Sequence, residues 1–194
     1  MTDAVISRLS SVPWAAALIN DPNWTPVNTA SRTPKASGED SFFAETLSTG
    51  RTIRGLLTLR PITEEDGDIA YKEVKTIVEL GDGLNGYPQI IHGGCAATLL
   101  DEICGILIML NMERKVQKIT EDGRRAAALN YFTAYLNTTY KKPVPTPGAL
   151  LLTAKIERQE AGDRKLYVRA TIEDGNGTIY TLGEALFIRV STKL

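Results

Sequence analysis

The stretch from Ile90 to Met112 constrains this chain more than any other. It reads Ile90-Ile91-His92-Gly93-Gly94 and then an apolar, helix-length run in which only Asp101 and Glu102 carry charge. A helix that is hydrophobic all round is normally buried all round. Carboxylates are almost never fully buried unless a partner or a reaction uses them. The run therefore predicts a central core helix with an acid inside the core, headed by the chain's single histidine and two glycines.

The rest must cover that helix. At 194 residues the chain suits one domain with a terminal extension. A formal net charge of −1 leaves no basic field, so nucleic acid is not an expected partner. The uncharged apolar run Ile103 to Met112 is about half of the roughly 20 residues a bilayer needs, so no membrane span is expected. The first twenty residues lack a basic segment followed by an apolar one, which favours the cytoplasm. Short amphipathic pieces, Val5 to Leu9 and Trp14 to Ile19, keep a mitochondrial location as the alternative. Cys95 and Cys104 sit on opposite sides of the helix, about 13.5 Å apart along its axis, and cannot pair. Both read as core residues, and one histidine without a Cys-x-x-Cys gives no metal site.

Residues 1–50 read as an N-terminal extension of short helices followed, from Asp21 to Asp40, by an irregular connector rich in Pro, Ser, Thr and Asn. Residues 51–194 read as the folded domain. Ile53 to Arg60 and Ala70 to Leu80 have the β-branched content of two strands around the acidic turn Glu64 to Asp68. After the helix, Glu113 to Arg125 reads as a solvated charged loop, with a lid or phosphate-binding edge as the alternative. Four strands follow: Leu129 to Tyr140, Leu150 to Ile156, Leu166 to Ile172, and Thr178 to Val190 after the hairpin turn Asp174-Gly175-Asn176-Gly177. Strict alternation puts Tyr131, Thr133, Tyr135 and Asn137 on one face of the first of these. An all-apolar helix needs a sheet curved around it, and the sheet's other face is then left for solvent or a second subunit.

The helix start is where chemistry is expected. Its first N–H groups lack intrahelical partners, and the macrodipole favours negative charge there. The Gly94 N–H suits an oxyanion, worth on the order of 3 kcal/mol of barrier. Gly93 allows close approach of a ligand, and His92 either bonds the same group or fixes the loop. Asp101 shares a stripe with Gly94, Ala97, Thr98 and Gly105, small residues that let another backbone come close. Glu102, about 100° further round, either faces solvent or pairs with a base. Each has a structural reading too: a tight turn for the glycines, a loop-fixing hydrogen bond for His92, a backbone-satisfied acid for Asp101.

His92-Gly93-Gly94-Cys95-Ala96-Ala97-Thr98-Leu99-Leu100-Asp101, with Thr133 to Pro145 and Glu184-Ala185-Leu186-Phe187-Ile188, resembles the hot dog fold acyl-thioester hydrolases. The likeness is strongest to the thioesterase superfamily member 4-like branch and its fungal members. It runs from about Gly81 to Val190, and Gln89 stands where such proteins often carry glycine. The resemblance implies an α+β hot dog fold, an antiparallel sheet of five to six strands wrapped around one long central helix. It also implies a homodimer or dimer of dimers with sites at the subunit interface.

By position Asp101 matches the catalytic acid and Thr133 the threonine that works with it, contributed from across the dimer. Gly94 matches the oxyanion donor with His92 beside it, and Gly93, Asn137 and Glu102 are expected to contact substrate. The implied reaction is hydrolysis of an acyl-CoA or carrier-bound thioester without metal or cofactor. Asp101, poised by partial burial, acts either as general base or as covalent nucleophile. Two further readings use the same residues: a product-release or tailoring step in polyketide biosynthesis, and a non-catalytic acyl-ligand-binding dimer.

Overall fold

Two short helices open the chain, α1 (Asp3–Leu9) and α2 (Pro13–Ile19), the second started by a proline whose missing N–H is harmless in a first turn. The computed structural model describes residues 3–125 and 130–190. Strand β1 (Trp24–Val27) follows, then β2 (Ile53–Pro61), β3 (Glu73–Leu80), the short pair β4 (Asn85–Tyr87) and β5 (Ile90–Ile91), and the long helix α3 (Gly93–Glu121). The chain closes with β6 (Asn130–Tyr140), β7 (Gly148–Glu160), β8 (Lys165–Glu173) and β9 (Ile179–Val190). Leu129, expected at the start of β6, lies outside the described residues.

Seven strands form one antiparallel sheet in the order β1-β2-β3-β7-β8-β9-β6. Its concave face wraps α3, whose Leu99, Leu100, Ile103, Cys104 and Leu107 are fully buried against it. Each such side chain contributes about 1.5–3 kcal/mol. By composition alone α3 is long and apolar enough to cross a membrane. Here those apolar side chains fill the core under the sheet.

The sheet is one strand wider than expected because Trp24–Val27, inside the supposed connector, pairs with Thr58 to Pro61. The outer face is not left bare either. Leu57, Ile77 and Leu151 stand side by side in register on β2, β3 and β7, and Leu9 and Ala15 of the N-terminal helices bury them. Short segments that cannot hold a helix alone are stabilised by this burial.

The charged stretch from Glu113 is not a loop but the last turns of α3. Arg114 and Lys118 pair with Glu64 at 2.6 and 3.1 Å, and Lys115 reaches Asp68 and Asp163 at 3.0 and 2.7 Å. The basic groups thus clamp the β2–β3 turn. One turn earlier, buried Asn111 imitates a strand partner: its Oδ1 accepts from the Tyr71 N–H at 2.9 Å and its Nδ2 donates to the Tyr71 carbonyl at 2.8 Å.

Candidate active site

Two clusters lie on the uncovered side of α3. The first is the helix start. The backbones of Gly86 and His92 pass so closely that a Cβ at Gly86 would sit 2.9 Å from His92 Cα. His92 is the N-cap, with extended φ/ψ, and its Nδ1 accepts from the Gly94 N–H at 3.1 Å. Gln89, in the preceding turn, has φ of 60°, a left-handed conformation that suits glycine. From across the sheet edge the Tyr140 hydroxyl donates to the Gly93 carbonyl at 2.9 Å. An open hollow of about 380 Å³ lies here, lined by Tyr87, Gly93, Tyr140, Lys141 and Lys142 among others.

The second cluster is Asp101 with Thr133. Thr133 Oγ1 donates to Asp101 Oδ1 at 3.1 Å, and both residues are exposed. The expectation of an acid inside the core is corrected here. The sheet covers only one side of α3, and the stripe of Gly94, Asp101 and Met109 faces away from it. In this contact both partners belong to one chain.

Glu102 is the carboxylate that is drawn inward. Its Oε1 accepts from Ser31 Oγ in the segment after β1. Burial pushes its carboxyl above the usual range, opposed by the Ser31 hydrogen bond and reinforced by Asp40 and Asp101.

A register shift between Thr133 and Tyr135 in the β6–β9 pairing breaks the expected alternation. Thr133 faces α3, but after the bulge it is Leu136 and Tyr140 that do so. Asn137 is paired with Glu184, which reaches Arg169 on the exposed outer face. Asn137 and Thr133 therefore lie on opposite faces, and the structure does not bring them together.

Burial pushes both cysteine thiols up, Cys95 to about 11, which leaves neither as a nucleophile at neutral pH. Among the described residues no three His, Cys, Asp or Glu side chains are grouped to hold a metal. Sequence reasoning missed Ser31 and the role of Tyr140. Ser31 carried no signal in its stretch, and Tyr140 was visible only as part of a longer motif.

An antiparallel sheet curved around one long helix, with a glycine-headed helix start and an acid on the helix's open stripe, defines the hot dog class of proteins. The solved structure of conserved protein PA5202 from Pseudomonas aeruginosa has this fold in common, with a TM-score of 0.51 at 14% identity over 84% of this chain and 100% of that one. Residues 88–181 match the family described as the thioesterase superfamily. Mouse acyl-coenzyme A thioesterase THEM4 is 31% identical over 61% of this chain and 44% of its own. Verlamelin biosynthesis protein B of a Lecanicillium species is 23% identical over 76% of this chain and 71% of its own. The chain thus spans under half the length of its mouse relative.

Proposed function

We propose that this chain hydrolyses acyl-CoA thioesters, with Asp101 as general base and Thr133 holding the base and the attacking water. The observation that carries the reading is the Thr133–Asp101 hydrogen bond of 3.1 Å on an exposed surface. A threonine hydroxyl that donates to the carboxylate keeps its lone pairs for a water proton. Asp101 accepts the other proton as the water oxygen bonds to the thioester carbon. Collapse of the tetrahedral intermediate breaks the C–S bond, and the departing thiolate takes the proton back from Asp101.

The oxyanion donor in this reading is the Gly94 N–H of a second copy, which exchanges its bond to its own His92 Nδ1 for the substrate carbonyl. Gly94 and Asp101 are about 10.5 Å apart along one helix. A reacting carbonyl must lie about 3 Å from both the oxyanion donor and the attacking water, and that water within hydrogen-bond reach of Asp101. Two copies with their open helix stripes facing bring the two groups together over a shorter span. Strand β6 suits such pairing as an edge strand exposing Phe132, Tyr135 and Tyr140. Lys141 and Lys142 beside the helix start suit the phosphates of coenzyme A.

Thiol release from a panel of acyl-CoA esters by wild type and Asp101→Asn tests the proposal, with melting curves and particle size matched. Release by the wild type that the folded variant loses supports it. A wild type that releases no thiol from any ester sinks it. The likeness to a protein named for verlamelin biosynthesis favours a second reading, cleavage of a biosynthetic thioester by an internal nucleophile of the acyl chain, with the same residues.

A further inference from the structure

A cavity of about 180 Å³ lies between α3 and the segment that follows β1; its lining includes Glu102, the residue after Asp101, and Gly105, one helical turn beyond Asp101. Helix α3 contributes Glu102, Gly105, Ile106 and Met109 to it, and the segment after β1 faces them with Ala30 and Ser31. Glycine weakens a helix interior, yet Gly105 sits in the middle of the longest helix described. A Cβ built at Gly105 meets nothing within 4 Å, so no packing demand within this protomer explains the glycine. What it leaves is room.

The wall facing α3 is fixed before any ligand arrives. Thr29 Oγ1 lies 2.7 Å from Thr58 Oγ1, Ser31 is bonded to Glu102, and Arg32 donates to the Phe43 carbonyl at 2.5 Å and to Ser48 Oγ at 2.9 Å. The space matches a cavity of about 150 Å³, which takes one benzene ring. Carboxylates belong to its lining: Glu39 and Asp40, which share Lys35 at 3.3 and 2.6 Å, Glu102, which Ser31 holds, and Glu113. Like charge disfavours a free fatty-acid anion there, so the occupant is the uncharged acyl group of an intact ester.

We infer that this cavity receives the acyl group, and that the wall built by residues 28–31 together with Gly105 limits it to about six carbons or a single aromatic ring. The inference rests on the hydrolase reading, since it takes Asp101, one turn before Gly105, as the base. It makes the N-terminal segment a determinant of acyl selectivity, a role outside the matched residues 88–181.

The test narrows the cavity from each side. Gly105→Leu and Ala30→Leu, with Gly105→Ala as the milder variant, are compared with wild type on acetyl-CoA and hexanoyl-CoA. Each methylene denied burial is worth about a factor of four. The hexanoyl-to-acetyl ratio of kcat/KM is therefore expected to fall about tenfold or more in both leucine variants, mainly through KM for the hexanoyl ester, and less in Gly105→Ala. An unchanged ratio, or parallel losses on both esters in both leucine variants, overturns the inference. A wild type inactive on both esters while other acyl-CoAs are hydrolysed also overturns it, whereas inactivity on every ester defeats the hydrolase reading beneath it.

Discussion

Thr133 Oγ1 donates to Asp101 Oδ1 at 3.1 Å across the gap between β6 and α3 of one chain. Because both residues are exposed, removing either leaves the core intact. Asp101→Asn is expected to lower thioester turnover by about 10²–10⁴. Thr133→Ala is expected to lower it by about 10–100-fold, with Thr133→Ser recovering most of the loss. Melting temperatures should stay close to wild type in all three, and steady-state kinetics beside thermal melts checks both halves.

Asn111 presents a different balance, since it is buried and bonded to both backbone groups of Tyr71. Asn111→Leu keeps the volume but orphans a buried N–H and a buried carbonyl. A loss of about 3 kcal/mol is expected. Differential scanning calorimetry should show this as a fall in Tm of roughly 6–12 °C.

The clamp on the β2–β3 turn depends on pH. Arg114, with Lys118 and Tyr71, holds Glu64 down to about 2 from 4.5. A depressed carboxyl pKa adds stability that is fully present above the unfolded value and drains away as pH falls through the folded one. Urea midpoints of the wild type should therefore drop between about pH 4.5 and 2 more steeply than those of Glu64→Gln.

Glu102 has the opposite sign. Burial raises its pKa, so the folded chain keeps a proton that the unfolded chain has already released. Stability falls as pH rises through that interval, and at neutral pH the buried charge weakens the fold. Glu102→Gln retains an acceptor for Ser31 and should melt above wild type at pH 7.5, with the two converging near pH 4.

Complementation tests the shared site. Gly94→Pro removes the N–H where a first turn tolerates proline. Each of Gly94→Pro and Asp101→Asn should be inactive alone. Mixed and reassembled dimers should regain activity, because one of their two sites then holds an intact Gly94 and an intact Asp101. No recovery from verified mixed dimers would show that the site lies within one chain.

The sequence by itself determined the elements that rest on local chemistry. Apolar continuity from Cys95 to Met112 made α3 the centre, β-branched runs made the strands, and the Asp174 to Gly177 turn joined β8 to β9. Three things were decided only in the folded chain. A bulge at Ala134 sent Asn137 to the far face, because the pairing of β6 with β9 sets the register and no local signal marks it. The basic residues after Asn111 joined the helix rather than a loop, because Glu64, Asp68 and Asp163 meet them from strand turns far along the chain. The exchange of burial between Asp101 and Glu102 followed from what covers α3: the sheet leaves Asp101 open, and Ser31, from a stretch with no pattern of its own, covers Glu102. Periodicity reports which residues share a helix face, but which face stays open depends on the elements that come to lie against it.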